Sequence, residues 1–189
     1  KPSHVEFTPR TKQIFDHLRD DGKPAIIFAS HLGNWEIPAL GAVAHGLDCA
    51  ILFRRPNIES ADRAIERIRS VKMGTLVAAG RDAPLQHVAM LVDQYMGNGV
   101  EVTFFGRKTK ANPTLARLLR QVDCPVHGVR IIRLPNHRFR AELSEEVKPV
   151  RDAEGQIDVQ GTMQAVTSVI EGWVREYPDQ WLWLHRRWR

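Results

Sequence analysis

Three short apolar runs, each closed by a polar cluster, constrain this chain more than any other feature. Ala25-Ile26-Ile27-Phe28-Ala29, Cys49-Ala50-Ile51-Leu52-Phe53 and Val88-Ala89-Met90-Leu91-Val92 are too short for typical helices and apolar throughout. They read as strands covered on both faces. Helical patterns stand among them, at 35–44 and at 61–71, the second with Ala64, Ile65, Ile68 and Val71 on one face. Such alternation predicts an α/β fold, a mixed, largely parallel sheet flanked by helices. Further helices are predicted at 11–20, 113–121 and 157–177. A strand is predicted at 100–105 after a Gly97-Asn98-Gly99 turn, and a hairpin joins 126–134 to 139–143 across Pro135-Asn136-His137.

In open α/β sheets, ligands gather beyond the carboxyl ends of the strands. The polar clusters there are the candidate functional residues: His31 with Glu36, Arg54 to Asn57, and Asp93-Gln94. His31-Leu32-Gly33-Asn34-Trp35-Glu36 sets a histidine five positions before a carboxylate. In a continuous helix those side chains diverge by roughly 140°. They meet only if His31 lies in a turn and Glu36 in the first turn of the helix that follows. Gly33 and Asn34 suit that turn, through tolerance of positive φ and N-capping. A histidine oriented by a carboxylate is equipped to take a proton from a hydroxyl. The residues alone leave a second reading open, a surface histidine beside a helix-capping glutamate.

At 189 residues the chain suits one domain spanning 1–189. Its net charge of +5 favours an anionic partner: nucleic acid, a phosphorylated substrate, an acidic protein or an anionic bilayer. Cys49 and Cys124 have no metal-ligand spacing and read as buried thiols. No stretch is long and apolar enough to span a bilayer, and no signal peptide is seen. The closing segment interleaves Trp181, Trp183 and Trp188 with Arg186, Arg187 and Arg189. It either packs onto the sheet with its arginines solvated or meets a bilayer interface.

With these clusters in view, the chain resembles the late acyltransferases of lipid A biosynthesis, within the glycerolipid acyltransferases that share an H-x4-D/E motif. The matching stretches are 31–36, 53–57 with Asp62, 91–94, 99–106 and 183–188, in the family's order. The resemblance implies a glycerolipid-acyltransferase-like sheet and transfer of a fatty acyl chain from an acyl carrier protein thioester to a hydroxyl of a lipid A precursor. It makes His31 the general base and Glu36 its orienting partner. It assigns Arg54 to phosphate or donor positioning, or to an oxyanion, against the plain reading of an ion pair with Asp62. Asn57, Asp93 and Gln94 join as substrate-binding or supporting residues. It implies no cofactor, no metal and no nucleic acid, and work at the cytoplasmic face of the inner membrane, against an anionic membrane surface. The family normally opens with a hydrophobic anchor and has a longer connection before the Asp93 strand, so a membrane anchor and a short internal segment are expected to be missing from this sequence. Two alternatives accompany the reading: a lysophospholipid or glycerol-phosphate acyltransferase, and, from charge and the Trp/Arg segment, a basic nucleic-acid-binding module.

Overall fold

The computed structural model describes residues 4–53, 75–78 and 87–189. Its strands are β1 (Val5–Phe7), β2 (Ala25–Ala29), β3 (Cys49–Phe53), β4 (Thr75–Ala78), β5 (His87–Leu91), β6 (Tyr95–Phe104), β7 (Arg107–Ala111), β8 (Val126–Leu134) and β9 (Arg138–Leu143). The α-helices among the described residues are α1 (Pro9–Asp20), α2 (Ile37–Ala44), α3 (Thr114–Leu119) and α4 (Val159–Glu176), and a 3₁₀ turn follows at Pro178–Gln180. A seven-stranded sheet runs in the order β1-β9-β8-β2-β5-β3-β4, and β6-β7 form a separate ribbon. Strands β8, β2, β5, β3 and β4 are mutually parallel, whereas β9 opposes β8 and carries β1 parallel to itself. The mixed, mostly parallel α/β sheet is the one the sequence predicts.

Every residue of β2 is buried, because successive side chains point to opposite faces and both faces are covered. Ile26 and Phe28 join Val88, Met90 and Val126 against α3, α4 and the ribbon. Ala25, Ile27 and Ala29 join Cys49 and Val129 against α1 and α2. Helix α1 starts at Thr8, whose side chain accepts from the Thr11 N–H, with Pro9 in its first turn; Thr11, Ile14 and Leu18 make its buried stripe. Helix α4 is capped by Asp158 and buries Met163, Val166, Ile170, Trp173 and Val174. Trp173 stacks on Phe28, ring centroids 5.6 Å apart. Gly128 makes that approach possible, since a Cβ there would lie 2.6 Å from Trp173 and 2.7 Å from Phe28.

The connections explain where a site forms. From β2 the chain passes β5 to reach β3, with α2 on one face. From β5 it passes β2 the other way to reach β8, with α3 on the opposite face. Right-handed crossovers running in opposite directions must cover opposite faces. They diverge above the adjacent tips of β2 and β5, the switch point where α/β folds bind ligands.

Several local expectations are revised. The Gly97-Asn98-Gly99 segment is no turn ahead of a strand but the interior of β6. There the register slips, so that Tyr95 and Val100 both face Ala111. The turn lies at Phe105-Gly106, both with positive φ, and leads into β7, which sequence reading missed along with β1 and β4. Helix α2 starts at Ile37 rather than 35, so Glu36 is its N-cap residue. The expected helix at 61–71, with Arg54, Asn57 and Asp62, lies outside the described residues. Among the described residues no helix is long and apolar enough to cross a membrane.

Candidate active site

Strand register builds the site. β2 and β5 pair as Ala25↔His87 through Ala29↔Leu91, and the ladder continues with Val92 N–H donating to the Ala29 carbonyl at 3.1 Å. Two residues further along each strand, the same offset sets His31 beside Asp93. Nδ1 of His31 lies 2.8 Å from Oδ1 of Asp93, and the His31 backbone N–H donates to Oδ2 at 2.9 Å. The Trp181 indole N–H donates to that same Oδ2 at 2.8 Å. Asp93 is buried, 4% exposed. Burial pushes its carboxyl up, but the bonds from His31 and Trp181 outweigh burial and hold it below the usual aspartate range.

An ionised Asp93 accepts only, so Nδ1 of a neutral His31 carries the proton and Nε2 presents its lone pair. Nε2 receives the Gln94 side-chain amide at 3.3 Å. Both ring nitrogens are thus engaged from the tip of β5. The Trp35 ring packs 4.9 Å from the imidazole.

The loop carrying His31 is fixed from below by backbone. Gly33 N–H donates to the Gln180 carbonyl at 2.8 Å, and Leu182 N–H donates to the His31 carbonyl at 2.9 Å. Gly33 has φ +62, and a Cβ there would lie 2.0 Å from the Ile131 carbonyl oxygen. Glycine is therefore required twice over, for the left-handed backbone and for the close approach. Asn34 is expected from the sequence to cap the helix, but the N-cap position falls on Glu36; Asn34 Oδ1 instead accepts from the Glu36 N–H at 3.3 Å and closes the turn ahead of it.

Below His31 a cavity of about 480 Å³ runs between the sheet and helices α1 and α2. His31, Trp35, Glu36, Gln94 and Leu182 line it at the strand tips. Ile27, Ala29, Ile51, Ala89 and Leu91 form its floor, and Phe15, Leu18, Ala42 and Leu47 its opposite wall. Its reach follows from the register: Cys49 also lines it and stands level with Ala25, four residues below Ala29. At about 3.3 Å per residue that is roughly 13 Å of strand beneath the tip. Burial pushes the Cys49 thiol up to about 12, so it is an inert wall element.

Of the candidates read from sequence, His31, Glu36, Asp93 and Gln94 come together here. Arg54 and Asn57 fall outside the described residues. The carboxylate on the imidazole's Nδ1 is that of Asp93, which the sequence reading had placed among the substrate-binding or supporting residues. Trp181 was missed as a partner of the site. Its signal was an indole among arginines, weighed as interface or packing. The arginines of that segment divide: Arg186 and Arg189 are exposed, whereas Arg187 is buried, its Nη1 donating to the Lys110 carbonyl at 2.7 Å and its guanidinium lying 5.4 Å from the Phe104 ring.

A strand-tip imidazole backed by a buried carboxylate and opening on an apolar cavity marks an α/β protein with a candidate acid–base site and room beside it for an alkyl chain. The family follows from comparison. The model of the bacterial lipid A biosynthesis acyltransferase family matches residues 5–189, nearly the whole length, and the chain belongs to that family. A search of the curated proteins finds no match.

Proposed function

We propose that this lipid A acyltransferase takes its acyl group from an acyl carrier protein thioester, with His31 as the general base. The observation that carries this reading is the placement of Nε2 at the head of the apolar cavity, its lone pair held, among the described residues, only by the exposed Gln94 amide at 3.3 Å. In the proposed step an acceptor hydroxyl of the lipid A precursor displaces the Gln94 amide from Nε2. His31 takes the hydroxyl proton as the oxygen bonds to the thioester carbonyl carbon. The tetrahedral intermediate then expels the thiolate, and the imidazolium returns the proton to sulfur. Asp93 steadies the imidazolium and fixes its tautomer, the part the buried aspartate plays in a Ser-His-Asp triad.

The acyl chain occupies the cavity, where each buried methylene contributes about 0.8 kcal/mol of binding. Glu36, on the wall beside His31, acts with Asp93 in setting the electrostatics of the ring. Arg54 and Asn57 hold phosphate or the donor, an assignment that rests on sequence alone. The enzyme works at the cytoplasmic face of the inner membrane, where a soluble thioester and a membrane glycolipid can meet.

The test offers wild-type enzyme a series of acyl carrier protein thioesters, with the tetra-acylated precursor or a lysophospholipid as acceptor, and reads product mass. One acyl group added to the precursor is the expected result. Acylation of the lysophospholipid alone would favour the alternative acceptor class.

A further inference from the structure

We infer that the turn at Trp183–Leu184 is the point at which this protein docks on a phospholipid bilayer. The inference deepens the proposed reading, since it assumes an acceptor drawn from a membrane. Leu184 is 89% exposed and Trp183 51%, an unusual display for adjacent large apolar residues. The chain on either side is tied down. Before the turn, Trp181 is buried on Asp93 and Leu182 is bonded to the His31 carbonyl. After it, His185 Nε2 accepts from the Tyr95 N–H at 2.9 Å, and Arg187 is 2% exposed. The turn is therefore presented rigidly and pays little ordering entropy on contact.

Its place is equally specific. Leu182, immediately before the turn, lines the cavity with His31 and Gln94, so the apolar tip stands at the rim of the site. Trp183 keeps its indole N–H on the Pro178 carbonyl and its ring against Trp181. That leaves an amphipathic ring half out, as at membrane–water interfaces. Arg186 and Arg189 are exposed beside it, suited to lipid phosphates. Two side chains are far too small for a stable protein interface, which needs about 800 Å² per partner. They are enough for one residue at headgroup depth and one in the acyl region.

The experiment is co-sedimentation of the full chain with vesicles of phosphatidylcholine alone or mixed with phosphatidylglycerol, alongside acyl transfer to precursor dispersed in detergent. Leu184→Ser should weaken vesicle binding about tenfold or more, as loss of one inserted leucine requires, and Leu184→Phe should restore it. Arg186→Gln should weaken binding about fivefold on the mixed vesicles only. Transfer in detergent should be unchanged in all three. Wild-type protein that sediments with neither vesicle, or Leu184→Ser that sediments like wild type, overturns the docking assignment. His31→Ala separates the two readings: it should bind vesicles normally yet transfer nothing, and active His31→Ala with impaired Leu184→Ser would leave docking standing while removing the proposed base.

Discussion

His31 owes its character to a single buried neighbour. Asp93 accepts from both the ring and the backbone of His31, so it sets the tautomer and the position together. Asp93→Asn presents an amide that can turn its N–H toward Nδ1 and stabilise the wrong tautomer. We expect kcat to fall about 10³–10⁴-fold, as for the equivalent change in a catalytic triad. KM should change little, because Asp93 does not face the cavity; a large rise in KM at normal kcat would make it a substrate ligand instead. The carboxyl's depressed pKa has a further consequence. The unfolded chain binds the proton more tightly, so Asp93 contributes stability above about pH 4, lost as pH falls through its lower folded value. The thermal midpoint of wild type should therefore drop more steeply than that of Asp93→Asn below about pH 4. Parallel curves would contradict this. From sequence, His31 was legible as a histidine at a strand tip and Glu36 as the nearest acid along the chain. Asp93 lies 62 residues away and becomes a partner only through the β2–β5 register, which no local spacing encodes.

At the scale of elements, the continuous apolar runs identified β2, β3 and β5 because burial on both faces removes polar residues from a strand. The ribbon was less legible. β7 is Arg107-Lys108-Thr109-Lys110-Ala111, and its alternation buries only Thr109 and Ala111, too few apolar positions to announce a strand. The glycines of β6 signal a turn by composition, yet here they fill a register slip: a Cβ on Gly99 would lie 2.1 Å from the Ala111 carbonyl oxygen. A comparable close approach makes Gly128 a test of how α4 is seated. Gly128→Ala should destabilise the fold by about 1–3 kcal/mol, the usual cost of overpacking, measured by denaturant unfolding. An unchanged midpoint would mean Trp173 is free to move away from Phe28.

For the molecule as a whole, small residues set among larger apolar ones leave room for the cavity. Ala29, Gly41, Ala42 and Ala89 stand where a close-packed core would carry leucine or isoleucine. The sequence shows these residues but cannot show that their missing volume adds up in one place. Ala89 stands level with Ile27 and Ile51, midway down the strands. Ala89→Phe should therefore block the lower half and shift the preferred thioester to a shorter chain, read by product mass across a donor series. An unshifted preference would move the acyl chain out of this cavity.

The most direct measurement is single-turnover transfer to the lipid A precursor by His31→Ala at neutral pH, with its thermal midpoint recorded alongside. The account predicts a loss of about a thousandfold or more, within the range for a general base, in a protein that melts like wild type. Transfer within a few-fold of wild type would contradict it, because the proton would then have left the hydroxyl by another route.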